Sequence, residues 1–244
     1  MDPSRPAHYR AEHMTAPVSS LREEVLVIHH RLREIYGDQP QHPDGDPLSA
    51  LVNTILSQNT NDRNRDIAFT RLRAQFSTWE VVRDALPEMV IEAIRPAGLA
   101  PTKGPHIQAA LQQITEERGE LSLAFLETLS LEEARQWLLN LNGVGPKTAA
   151  IVLLFALGRP AFPVDTHIHR VTRRLGLIPQ TTSREKAHVL LEALVPPELY
   201  WTFHLNVIAH GRQVCHARKP RCEVCPLQSH CAYYQKSQKG VMSP

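Results

Sequence analysis

Apolar side chains recur along most of this chain at intervals of three and four residues, with polar residues between them. That is the period of a helix with one buried face. In "SLREEVLVIHHRLREIYG" the apolar positions Leu21, Val25, Ile28, Leu32 and Ile35 mark such a face, and Gly37 ends it. "DPLSALVNTILS" predicts an apolar helix with Pro47 near its start. "RNRDIAFTRLRAQF" predicts an amphipathic helix; "TWEVVRDAL" and "PEMVIEAIR" predict short ones, the second led by Pro87. "KGPHIQAALQQITEER" follows a loop rich in glycine and proline. Ser130 and Glu133 have the spacing of a capping box before "LEEARQWLLNL". "KTAAIVLLFAL" runs to Gly158, and "THIHRVTRRLGL", "SREKAHVLLEAL" and "PELYWTFHLNVIAHGRQV" complete the series. Strand-like alternation is scarce, so the expected fold class is all-α. Residues 1–20 read as a flexible arm and 233–244 as a loose tail.

At 244 residues the chain can bury a real core, as one large domain or two lobes. The formal net charge is only +2, so a nucleic-acid partner requires clustered basic residues. The run "IVLLFAL" has seven residues, and a membrane span needs about 20. The first residues lack the apolar core of a signal peptide. A cytoplasmic protein is expected, or an organellar or nuclear one in a eukaryote.

All four cysteines lie between Cys215 and Cys231, spaced Cys215-x6-Cys222-x2-Cys225-x5-Cys231. In a reducing compartment such a group points to metal rather than disulfides. A tetrahedral zinc site usually draws on two close pairs, and only Cys222 and Cys225 form one. A compact loop with uneven spacings suits an iron–sulfur cubane better, with zinc the alternative. Between the first two cysteines, "HARKPR" holds Arg218, Lys219 and Arg221. These are either a solvated loop or cations held by a metal-pinned loop toward a phosphate backbone. Pinning lowers the cost of ordering that contact.

"LNGVGPKTAA" places Gly143 and Gly145 in a turn between two helices. Glycines allow the positive φ of a tight turn and let a phosphate approach backbone N–H groups at the next helix's start. Lys147 stands in that helix's first turn, where the dipole end is already positive and a cation is electrostatically out of place. Dipole and partial burial together favour the free amine, a nucleophile toward an anomeric carbon. A plain phosphate-contacting lysine is the alternative. The helix from Lys147 to Leu157 spans about 15 Å. The next segment can extend about 23 Å, enough to bring Asp165 of "FPVDTHIHRV" back. Asp165 can cap the following helix and, as a carboxylate, stabilise oxocarbenium charge or assist proton transfer.

These motifs together resemble the endonuclease III family of helix-hairpin-helix DNA glycosylases and abasic-site lyases. The cysteine spacing and "ARKPRC" resemble its iron–sulfur loop, and "GVGPKTA" followed by "VDTHI" its catalytic segment. The resemblance runs from roughly Pro40 to Cys231. It implies two helical lobes with a DNA-binding cleft between them. One lobe is a six-helix barrel carrying the helix-hairpin-helix (40–158). The other is an iron–sulfur lobe built from both chain ends (21–39 and 159–232). It implies a [4Fe-4S] cluster on Cys215, Cys222, Cys225 and Cys231, with Lys147 as nucleophile and Asp165 as catalytic aspartate. The segment "ILSQNTND" resembles the family's L-S-x-Q-x-x-D, whose amide fills the space left by a flipped base. The register puts Asn59 at that position and Gln58 one residue earlier, so either can serve. "RPAGLAPTKG" resembles the G-L-x-x-x-K loop, which makes Leu99 the wedge between bases and puts Lys103 near the DNA backbone. Gly143, Gly145 and His167 join the expected DNA contacts, with Arg218, Lys219 and Arg221. The expected partner is duplex DNA with a damaged pyrimidine or an abasic site, met by a monomer without a membrane. A monofunctional glycosylase of altered specificity and a non-catalytic helix-hairpin-helix DNA-binding protein are the alternatives.

Overall fold

A computed structural model of the chain describes residues 17–39 and 45–241. Among them are twelve α-helices and no strand, as the all-α pattern requires. They fall into two compact units: residues up to Gln39 with those from Asp165 onward, and the stretch ending at Val164.

The continuous unit holds α2 (Pro47–Ser57), α3 (Asp62–Gln75), α4 (Trp79–Asp84), α5 (Pro87–Ala93), α6 (Ala100–Arg118), α7 (Leu131–Leu139) and α8 (Pro146–Ile151). Its core includes Leu51, Ile55, Leu72, Ile107, Leu111, Leu138 and Leu153, all fully buried. Local chemistry sets where the helices begin. Asp46 caps α2 by accepting from the Leu48 and Ser49 N–H groups at 3.1 and 3.0 Å. It also accepts from the Trp79 indole at 3.0 Å, which ties the start of α2 to α4. These donors outweigh burial and hold the Asp46 carboxyl below its ordinary value. Ser130 and Glu133 form the expected capping box at α7. Beyond α8 the chain keeps winding in a π turn, Val152–Ala156, before Gly158 ends it.

The other unit holds α1 (Val18–Tyr36), α9 (Thr166–Leu175), α10 (Arg184–Leu194), α11 (Tyr200–Gln213) and α12 (Ala232–Val241). Leu21, Val25, Ile28 and Leu32 are the buried face of α1, but Ile35 is half exposed beyond it. Helix α11 packs against α1 and α9. Two terminal expectations need correction. Helix α1 begins at Val18, inside the expected arm; residues 1–16 lie outside the described residues. The expected tail is helix α12 as far as Val241, because it packs on α9 and places Tyr233 and Tyr234 at the cysteine cavity. No helix among the described residues is long and apolar enough to cross a membrane.

Candidate functional site

Helices α7 and α8 are joined by a tight turn anchored by buried Leu141 and Val144, with the Val144 N–H on the Leu141 carbonyl at 3.1 Å. The two glycines of the turn differ. Gly143 has φ +76, and a Cβ there would lie 2.9 Å from Cβ, Cγ and Nδ1 of His106. Gly145 has an ordinary φ of −103 and nothing within 4 Å of a Cβ position. Gly143 therefore answers to backbone strain and packing inside the protein, whereas the side-chain position of Gly145 faces open space. Gly145 also caps α8 and brings no side-chain cap to its first N–H groups. Lys147 follows in the first turn, partly buried, before buried Thr148, Ala149 and Ala150.

Between α2 and α3 the two amides diverge. Gln58 donates through Nε2 to the Gly143 carbonyl at 3.0 Å and ties this loop to the hairpin. Asn59 is exposed, with φ 51. Asparagine tolerates that left-handed conformation better than most residues. Of the two expected candidates, Asn59 is the outward one. Leu99 is 55% exposed and also left-handed, with φ 49, which leucine seldom adopts.

Lys103 does not reach outward, contrary to expectation. It is 2% exposed, and its Nζ donates to the Leu56 carbonyl at 2.7 Å and the Ala97 carbonyl at 2.8 Å. The reason is helical phase. Helix α6 starts at Ala100, so Lys103 falls on the buried face with Ala100, Ile107, Ala110 and Leu111. Burial lowers its pKa.

Asp165 accepts from the Ile168 N–H at 2.7 Å and caps α9, as its position suggested. His167 Nδ1 accepts from the Arg170 guanidinium at 3.1 Å, which puts a neutral ring's proton on Nε2. Burial pushes its pKa down, against the pull of Asp165. These two residues belong to the discontinuous unit, while Gln58, Asn59, Leu99, Gly143, Gly145 and Lys147 belong to the continuous one.

All four cysteines line one pocket, partly open to solvent, with apolar Val171, Leu175, Val214 and Pro220 around them. The donor set is four soft thiols on one loop, which is what an iron–sulfur cluster requires. Cys215, Cys222, Cys225 and Cys231 would hold the cluster, which would tie the ends of the loop together. Burial pushes the Cys225 thiol up to about 11, so assembling the cluster must release protons. The surrounding residues were not picked out from sequence. Arg174 donates to Cys215 Sγ at 3.3 Å and to the carbonyls of His216 and Ala217 at 2.6 and 3.0 Å. Arg170 donates to the Cys215 carbonyl at 3.0 Å. His210, held neutral by burial with a pKa of about 4, lies 3.6 Å from Cys225 Sγ. The available signal was spacing: Arg170 and Arg174 are four apart on one face of α9. Arg218, Lys219 and Arg221 are all exposed on the loop these arginines hold.

The chain belongs to the HhH-GPD superfamily of base excision DNA repair proteins, whose model matches residues 52–197. Residues 215–231 match the iron-sulfur binding domain of endonuclease III, and the cofactor is an iron–sulfur cluster. The chain is 33% identical to endonuclease III of Thermotoga maritima, over 88% of its own length and 96% of that protein's. It is 39% identical to a candidate DNA glycosylase of Arabidopsis thaliana, over 74% of this chain but 64% of that one. Among solved structures, a non-covalent endonuclease III–DNA complex superposes with a TM-score of 0.76 at 27% identity. That match covers 89% of this chain and 98% of the other.

Proposed function

We propose that the chain removes oxidised pyrimidines from duplex DNA and then cleaves the abasic site through a Schiff base on Lys147. The observation that carries this reading is a lysine in the first turn of α8, directly behind the glycine turn. Its neutral amine attacks C1′ of the flipped nucleotide. The N-glycosidic bond breaks and the base departs. The nitrogen gives up a proton, the sugar ring opens and an iminium forms. Loss of a proton from C2′ then expels the 3′ phosphate, and water releases the enzyme. The carboxylate of Asp165 stabilises positive charge on the sugar or carries protons between steps. Asn59 occupies the space left by the base and Leu99 enters the stack. The exposed Arg218, Lys219 and Arg221 meet phosphates, which position the duplex without reading sequence. The iron–sulfur cluster fixes the loop that presents them. The place of action is the compartment that holds the DNA.

The test is a set of duplex oligonucleotides, each with one defined lesion. Base release from oxidised pyrimidines together with strand cleavage is expected. Release without cleavage identifies a monofunctional glycosylase. Tight binding with no release from any lesion identifies a non-catalytic DNA-binding protein.

A further inference from the structure

Lys103 is among the most deeply buried large side chains of the chain, and it is a cation. Burying an ammonium is costly, and a well-packed apolar residue of similar size is often as stable or more so. Fold stability alone therefore gives a weak reason for a lysine here. What the ammonium does is join two turns. The Leu56 carbonyl lies in the last turn of α2, just before Gln58 and Asn59. The Ala97 carbonyl closes the 3₁₀ turn just before Gly98 and Leu99. Both carbonyls stand at helical C-termini, where backbone oxygens carry partial negative charge. Each turn then ends in an exposed residue of positive φ, Asn59 at 51 and Leu99 at 49. The base of the bolt is fixed as well. A Cβ on neighbouring Gly104 would lie 2.9 Å from Ile91 Cγ1, so α6 packs tightly against α5 at this point.

We propose that Lys103 is a positioning residue that locks the Asn59 and Leu99 turns into one frame, so that both enter a duplex together. The proposal rests on the reading that these two residues distort DNA. Two independently mobile loops would each have to be ordered on insertion, and a pre-ordered pair avoids that cost. Lys103 itself touches no DNA in this account.

The test uses the cluster-loaded full chain and its Lys103→Met variant, which keeps the stem and removes the donors. The probe is a duplex with a tetrahydrofuran abasic analogue beside 2-aminopurine, whose fluorescence rises on unstacking. Base release is measured in parallel from a lesion in paired duplex and from the same lesion in an unpaired bubble. Wild type is expected to unstack the probe, and the variant to do so about tenfold more slowly. The ratio of duplex to bubble base-release rates should fall by a similar factor. Simple destabilisation would lower both rates together and leave the ratio alone. If Lys103→Met does not fold, Lys103→Gln keeps an amide donor and should give a smaller fall in the same ratio. An unchanged ratio in a folded variant overturns the positioning role. A wild type that never unstacks the probe overturns the underlying reading of Asn59 and Leu99 instead.

Discussion

The two hairpin glycines should fail differently when each is replaced by alanine. At Gly143 the alanine must keep φ +76, which costs about 1–2 kcal/mol for an L-residue. Its Cβ would also stand 2.9 Å from three atoms of His106, one of them Cβ, which no flexible tip can relieve. Inserting a methyl into such a contact costs about 1–3 kcal/mol. A loss of about 3 kcal/mol lowers the melting midpoint by about 6–12 °C in a chain of this size. At Gly145 the φ of −103 suits alanine and the added Cβ meets nothing within 4 Å. Alanine is a poorer helix cap, but it stiffens the unfolded chain, and the two effects offset. The midpoint should therefore stay within about 2 °C of wild type. Fluorescence anisotropy on an abasic-analogue duplex should nevertheless show Gly145→Ala binding about tenfold more weakly, because its methyl occupies the space for a phosphate. Gly145→Ala with full affinity would refute the idea that this face of the hairpin meets DNA. Gly143→Ala with a wild-type melt would refute the conformational reason for that glycine.

Leu99→Gly relieves a left-handed leucine and removes the wedge, so its melt should hold while base release from duplex falls about tenfold or more. Full activity would remove Leu99 from the mechanism. Asp165→Asn keeps an oxygen for the Ile168 N–H, so the cap and the midpoint should survive while single-turnover base release drops by about 100-fold. A drop in stability with no loss of rate would make Asp165 only a cap. Cys225→Ser should lower iron content and visible absorption per chain, and undiminished iron would exclude that cysteine as a ligand.

The helices were legible because buried faces repeat: Leu21, Val25, Ile28 and Leu32 of α1 lie where their spacing puts them. The capping box at Ser130 and the cap at Asp165 were readable from residue type and position alone. Resemblance to the G-L-x-x-x-K loop put Lys103 near DNA, but that loop pattern does not show the helical phase of its lysine. Begun at Ala100, the helix sets Lys103 in phase with Ile107 and Leu111. The different placing of Gln58 and Asn59 was not legible in the sequence, since it turns on a hydrogen bond from Gln58 to Gly143, far along the chain. Arg174 was missed for a similar reason: its partners, Cys215, His216 and Ala217, are brought to it only by folding. The α12 tyrosines belong with these, because a polar terminal segment becomes helix only where it packs on α9.

Covalent trapping shows most directly whether Lys147 is the nucleophile. The protein is incubated with an abasic-site duplex and borohydride, run on a denaturing gel, and the adduct is mapped by mass spectrometry. Wild type is expected to form an adduct at Lys147 that is absent from Lys147→Gln, while that variant still binds the duplex. A wild type that gives no adduct, or an equal yield from Lys147→Gln, would contradict that role.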